Sequence, residues 1–561
     1  MKMLLILAAL AGPAGTDPFT DAVLLLSGAS CMEELDGDEI ERYRHYHEHP
    51  LDINNASPGR LEASGLFSRF QLVSLARYRK EYGDILSFSE LSLVSGFDAE
   101  SAGALRCFVL LSSRRPPGSR EKEHIEGELM VRGASRKEYE ADGQSDESSF
   151  GVKAYAGFGE RGEIRWASRT SYDNPSFRLG TVSAAWYGRN VPFKVVAGNF
   201  AARFGQGLTQ WSGFSLSSLN KVSAFRRNGS GLSATSSFSP DLLGLGGDIA
   251  AGPFVISAAC SFNGGARPLG NICWTSDRMS AGITASSEKI GADIRAGFKD
   301  VSLFAEFSTL WSGGAAALAG AVWTPSYGNR LAFQARCFDP RFKKDYSGLA
   351  VCFENQWLDV SVDAAWHFVN MTAQYKAFAE ISPSLEYGSL VLHPALRCST
   401  RCRVEYPVPG ASGVLSGDSW RTDLRGEIGA EMGRWLVNAR YNLLWCRSRA
   451  WLWYVEPGYR TDEAGAYLRF TLFKVDSWDD RIYVYERDAP GSFNVPAYYG
   501  RGYSISAVAS LKFGDRRFRH RADIRGSFIS YPWNAAPKPS RLELKVQYTL
   551  CFYCRGKNGV R

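Results

Sequence analysis

The sequence predicts a mainly β protein: a large transmembrane antiparallel β-barrel of about 18–24 strands, preceded by a small all-α domain. Three observations predict it. The residue pattern changes near residue 125, from a short helical stretch to more than four hundred residues of alternating apolar and polar steps. A short apolar run opens the chain, and no later run is long enough to span as a helix, which needs about 20 residues. Only helices and closed barrels satisfy every backbone group in lipid, so an integral membrane protein of this pattern must close into a barrel.

The elements follow in order. Lys2, the apolar run Leu4 to Ala11 and the small residues Ala11 to Gly15 read as an export signal over 1–15. Residues 16–50 form an acidic helical segment, with Glu33, Glu34, Asp36, Asp38, Glu39 and Glu41 expected on an exposed face. His45, His47 and His49 resemble a metal cluster, yet on a helix only His45 and His49 share a face. A solvated helix end before Pro50 is the expectation, with no metal and no cofactor. Residues 51–112 are the helical domain proper, and 113–124 a linker.

The barrel is assigned to 125–556. Leu542, Leu544, Val546, Tyr548, Leu550 and Phe552 share one face of a strand, and Arg541, Glu543, Lys545, Gln547 and Thr549 the other. Leu358 to Phe368 alternate with Asp359, Ser361, Asp363 and His367. Ile294, Ala296 and Phe298 alternate with Asp293 and Arg295, and Trp435 to Trp445 with Arg434, Asn438, Arg440 and Asn442. Charges on the inner face suit a water-filled or plugged lumen. Aromatics near run ends (Trp166, Trp186, Trp274, Trp311, Trp323, Trp357, Trp420, Tyr531 and Trp533) suit interfacial girdles. No repeat of about 40 residues argues for a propeller.

The 561 residues carry a formal net charge of +7, too mild to identify a nucleic-acid protein. The 11 cysteines are odd in number, so an exported chain keeps at least one free thiol. Cys398 with Cys402, and Cys551 with Cys554, are too far apart along one strand for an unstrained bridge. No nucleophile, base and orienter stand at recognisable spacing, so no catalytic residues are assigned.

Leu51 to Leu61, Tyr78 to Leu91, Val94 to Asp98 and Leu105 to Val109 occur in an order that resembles the tandem helix-hairpin-helix domains of ComEA-type competence DNA receptors. The resemblance implies sequence-independent contact with duplex phosphates, made by hairpin glycines and the following helix N-termini. The hairpins depart from that pattern. The first reads Leu66-Phe67-Ser68, without glycine, and the second Gly96-Phe97-Asp98, with a carboxylate in place of a glycine. Leu66, Phe67, Ser68, Arg69, Arg77, Arg79, Lys80, Gly96, Phe97 and Asp98 are the candidate DNA-binding residues.

Two further stretches resemble a family of large outer-membrane proteins with such an N-terminal domain. They are Gly198-Asn199-Phe200 with Phe204 to Phe214, and Asp476 to Glu486 with Val495 to Gly502. The resemblance implies an outer-membrane barrel with its helical domain in the periplasm. Phe204, Gly205, Gln206, Gly207 and Trp211 are read as either a lumen loop or an ordinary long loop. Asp479, Asp480, Arg481 and Glu486 are read as either a lumenal charge network or a surface loop. Two functions follow: non-specific DNA binding or uptake through the barrel, or an envelope scaffold whose degenerate module docks a periplasmic protein. Outer-membrane lipid is the partner common to both.

Overall fold

The computed structural model describes residues 17–113, 124–140, 143–172, 179–188, 192–238, 240, 242–326, 328–342, 346–367, 372–405, 419–515 and 517–555. The expected signal peptide and most of the expected linker lie outside the described residues.

Twenty-six antiparallel strands between His124 and Arg555 close into one ring, the first pairing with the last through His124–Glu140 and Ser540–Arg555. Two of them continue a neighbour after a break. Gly231–Ala234 and Leu242–Ala251 both pair with Phe193–Arg203, and Thr372–Ile381 and Leu385–Tyr387 both pair with Leu390–Glu405. The ring therefore has 24 staves, and closure leaves it no free edge.

The period-two pattern sets the register. In Leu358–His367, Leu358, Val362 and Trp366 are exposed on the outside, while Asp359, Ser361, Asp363 and His367 are buried on the inside. Leu544, Val546 and Tyr548 are exposed outward, and Gln547 and Thr549 buried inward. A slip of one residue would turn every charge toward the apolar side, so the pattern fixes each strand's pairing. Trp311, Trp323, Trp357, Trp420, Trp435 and Trp533 stand exposed at or near strand ends. The two ends of the ring differ. Most connections at the end holding His124 and Arg555 are tight turns, and most of the longer ones, including 204–230 and 476–499, lie at the other end.

Among the described residues six helices precede the ring: α1 (Pro18–Ser27), α2 (Gly37–Glu48), α3 (Pro58–Ala63), α4 (Arg69–Glu81), α5 (Phe88–Leu91) and α6 (Ala99–Leu105). Side chains start each of the last five: Asp36, Ser57, Ser68, Ser87 and Asp98 accept from backbone N–H groups in the first turn. A two-residue parallel pairing of Leu51–Asp52 with Val109–Leu110 ties the ends of the module together. Val23, Leu51, Ile53, Phe67, Leu75, Ile85, Leu91 and Phe108 form its core. Phe214 and Leu216 from one long connection, and Tyr485 and Phe493 from another, pack against that core.

Candidate functional site

The module does not stand apart from the ring; it fills it. Its polar side chains meet inward-facing residues on strands spread around the circumference. Glu41 pairs with Lys153 at 3.3 Å, Arg44 with Glu128 at 3.1 Å, and Glu62 with Lys194 at 3.4 Å. Arg69 donates to Asn271 at 3.2 Å, Arg330 meets Glu100 at 3.0 Å, and Arg460 meets Asp17 at 3.3 Å. The Ser30 carbonyl accepts from Arg397 at 2.6 Å.

The dimensions agree. Twenty-four strands at about 4.8 Å spacing and about 40° tilt enclose a backbone ring roughly 45–50 Å across, or about 35 Å between inward side chains. A globule of about 100 residues is roughly 33 Å across, taken as a uniform sphere of radius of gyration about 13 Å. The expectation of a periplasmic domain tethered outside the barrel is therefore corrected. Alternation shows that inward positions are polar and is silent on whether water or protein meets them.

Glu33 sits at the centre of the contact. It accepts from Arg425 at 3.3 Å, from Arg440, and from the Tyr485 N–H at 3.0 Å. Burial raises a carboxyl pKa, but the two guanidiniums win and hold Glu33 well below the usual range. Glu39 is likewise held low against its burial by Arg42 and Arg203. Of the acidic residues expected on an exposed face, Glu33 and Glu39 thus meet arginines of the lumen and Glu41 meets Lys153, while Asp38 is exposed. Sequence reasoning missed Arg203, Arg425 and Arg440 as their partners. The available signal was a run of acidic residues in one part of the chain and strand arginines in the inward register of another.

Of the three histidines, His45 and His49 are buried rather than solvated, and His47 is exposed. His49 lies 3.5 Å from both Glu126 and Glu128. Its ring lies tilted against that of Tyr155 at 4.8 Å between centroids, and the His45 ring lies 4.6 Å from the same tyrosine. Burial lowers the His49 pKa, but the two carboxylates outweigh it and raise it to about 9. His45 has no such partner, and burial with Arg165 nearby keeps it well below the usual value. The signs oppose. His49 contributes stability that is full below pH 6.5 and lost as pH rises through about 9, on the order of 3 kcal/mol at most. His45 contributes stability that is lost as pH falls below its unfolded value. Thermal melts should therefore show the module most stable near pH 6.5, and His49→Gln should flatten the alkaline limb alone. An unchanged alkaline limb in His49→Gln would refute the assignment.

Two long connections fold into the ring and hold the module from the other side. In 204–230, Glu306 accepts from the Gln206 N–H, and from Thr209 through its N–H at 2.9 Å and its hydroxyl at 3.0 Å. Asn220 donates to Glu34 at 2.9 Å, and the Val222 N–H to Glu354 at 2.7 Å. Gly28, with φ of +76°, caps α1 against this segment; a Cβ there would sit 2.4 Å from the Ala224 nitrogen. Phe204 and Gln206 are buried, Gly205 and Gly207 take positive φ, and Trp211 is half-buried with its indole N–H on the Phe214 carbonyl at 2.9 Å. In 476–499, Asp480 accepts from the N–H groups of Arg447 and Ser448 at 2.9 and 3.0 Å. Arg525 donates to Glu486 at 2.6 Å, and Arg469 to the Tyr485 carbonyl at 2.7 Å. Asp479 lies 3.6 Å from Arg447, and Arg481 donates to the Trp478 carbonyl at 3.0 Å.

All of the candidate DNA-binding residues except Lys80 have structural partners or core positions. Leu66, Phe67 and Phe97 are core residues. Ser68 and Asp98 are helix N-caps, so the Asp98 carboxylate accepts from the Ser101 N–H at 2.7 Å. Gly96, at φ +91°, accepts from the Gln71 side chain at 2.8 Å, which ties the two hairpins together. Arg69 is ion-paired to Glu62. Arg79 donates to the carbonyls of Ile53 and Asn54 at 3.1 and 2.9 Å. Arg77 meets Asp277 of the wall at 2.5 Å, and Lys80 is exposed.

No family model and no curated protein matches this chain. Solved structures of outer-membrane porins do. Pseudomonas aeruginosa OccK3 (OpdO) is 10% identical, with 76% of this chain covered, 96% of that chain, and a TM-score of 0.31. A BenF-like porin from Pseudomonas fluorescens Pf-5 is 11% identical, with coverage of 76% and 99% and a TM-score of 0.32. Pseudomonas aeruginosa OccK2 (OpdF) in complex with glucuronate is 10% identical, with coverage of 76% and 96% and a TM-score of 0.31.

Proposed function

We propose that the chain is an outer-membrane barrel whose lumen is closed by its own N-terminal helical module, a gated channel that opens when the module is displaced. One observation carries this: a ring wide enough to hold the whole module meets it with ion pairs on all sides. The exposed apolar outer face and the aromatic strand ends support lipid contact. The tight-turn end, where Arg60 donates to the Gly159 carbonyl at 2.7 Å, faces the periplasm in this reading, as short turns do in such barrels.

Polar and ionic contacts hold the module more than apolar ones, which suits a part that has to come loose. An apolar seat would bind it as a core does, whereas ion pairs exchange for water when the lumen floods. The two earlier readings, DNA uptake and docking of a periplasmic protein, find less support. Of the module's arginines and lysines singled out for phosphate contact, only Arg77 and Lys80 are exposed.

The test is electrical. In planar bilayers the intact protein should rest at low conductance, and moderate urea on one side should produce large, reversible openings as the module leaves its seat. A large steady conductance without urea would show the lumen open at rest and overturn the proposal.

A further inference from the structure

The segment 476–499 folds back on itself through the pairing of Ile482–Tyr483 with Ala497–Tyr498, and its outer part carries an aromatic ledge. Trp478 and Tyr483 are 55% and 43% exposed. One guanidinium serves both rings: Arg481 lies 4.8 Å from the Trp478 centroid and 5.6 Å from that of Tyr483. It also donates to the Tyr483 hydroxyl at 2.8 Å and to the Trp478 carbonyl at 3.0 Å. Tyr499 meets Trp478 edge-on at 5.6 Å. The backbone is pinned as well, since Arg421 donates to the carbonyls of Asp479 and Arg481 at 2.6 and 2.9 Å.

These rings stand outside the lipid belt. On the paired strands Ala464–Val475 and Gly500–Gly514, the outward apolar positions end at Leu472 opposite Tyr503. The next outward positions are Lys474 opposite Arg501, and Arg501 meets Asp476 at 2.5 Å. Charges of this kind mark the edge of the hydrocarbon layer. Trp478 and Tyr499 lie past them on the two chains leaving the strands, so the exposed side of Trp478 meets water.

The polar neighbours select the ligand. Arg447 and Asp479, both exposed, lie 3.6 Å apart beside the rings. Asp480 fixes the turn that bears Arg447 by accepting from the N–H groups of Arg447 and Ser448. A guanidinium only donates and a carboxylate only accepts. An exposed pair of this kind is worth little to stability, so opening it to a ligand costs little. Asp479 opposes an anion, and Arg447 and Arg481 oppose a cation. A neutral ring with one apolar face and hydroxyls that both donate and accept suits the rings and the pair together. A protein partner would need about 800 Å² on each side, far more than two rings bordered by Lys474, Asp476 and Arg501 supply.

We propose that Trp478 and Tyr483 form a carbohydrate-binding ledge on the rim, with Asp479 and Arg447 bonding hydroxyls, and that its ligand is a soluble neutral oligosaccharide. It rests on the gated-channel reading only for the side of the membrane that the longer connections face. The same segment also seats the module: the Tyr483 carbonyl accepts from Arg440 at 3.2 Å, and the Tyr485 N–H donates to Glu33 at 3.0 Å.

The experiment is calorimetric titration of the full-length protein, in a detergent without a sugar headgroup, with maltoheptaose, cellohexaose and chitohexaose. Hexagalacturonate serves as the charged counterpart, and lactosylceramide in the same detergent as the lipid-borne one. At least one neutral oligosaccharide should bind, and more tightly than hexagalacturonate. Trp478→Ala should weaken it roughly tenfold or more, as loss of a central aromatic contact does. Arg447→Ala should weaken it less, and its melting temperature should match that of the native protein. No binding of any neutral oligosaccharide, tighter binding of hexagalacturonate, binding of lactosylceramide alone, or affinity unchanged in both variants would each overturn the assignment. None of these outcomes reads conduction, so the bilayer recording tests closure of the lumen separately.

Discussion

Removal of residues 17–113 should convert a closed protein into an open pore. The ring does not depend on the module for its backbone hydrogen bonds, since each stave pairs with two neighbours and the first pairs with the last. Without the module, the inward charges face water, which solvates them at little cost. Conductance should then rise on the order of tenfold or more over the intact protein, because barrels of only 16–18 strands already leave an aqueous channel. The segments 204–230 and 476–499 would still narrow one end, so the pore should be smaller than the full bore. Slower mobility of the heated over the unheated protein in gels establishes that the truncated ring is folded. A folded truncated ring that conducts no better than the intact chain would mean that the two long connections close the lumen, and the gating role assigned to the module would be lost.

Much of the ring was legible in the sequence, for a physical reason. A strand with lipid on one side and a polar interior on the other must alternate. Leu542 to Thr549 and Leu358 to His367 therefore announce both faces at once. The module's helices are legible from the two hairpin-like turns between them, but not their caps: Ser68 and Asp98, at positions where the resemblance puts hairpin glycines, are helix N-caps. What could not be read is what meets the inner face. Glu33 and Arg440 are 407 residues apart, and a carboxylate that will be buried looks the same in sequence as a solvated one. The same holds for His49, whose partners Glu126 and Glu128 lie on a strand beyond the linker. Local pattern reports the environment a strand requires; it does not report which distant segment supplies it.

Glu33→Ala should loosen the module more than any other single change within it. The substitution leaves Arg425 and Arg440 buried and takes the acceptor from the Tyr485 N–H, so the contact fails at the wall and at the segment 476–499 together. Breaking a buried pair by removing one partner costs about 3–5 kcal/mol, because the remaining charge stays out of water. Glu427 lessens the cost here, since it also pairs with Arg425 and lies 3.8 Å from Arg440, so the loss belongs near the lower figure. Glu33→Gln keeps an acceptor for the N–H but no charge, and should fall between Ala and the native residue. The ring makes its own hydrogen bonds, so the effect should appear as local unseating: an earlier first thermal transition, and openings at lower urea, with the β-sheet signal unchanged. If Glu33→Ala melts and conducts like the native protein, the carboxylate is not what holds the module in the lumen. The distributed pairs at Glu41, Glu62 and His49 would then have to hold it without the central one.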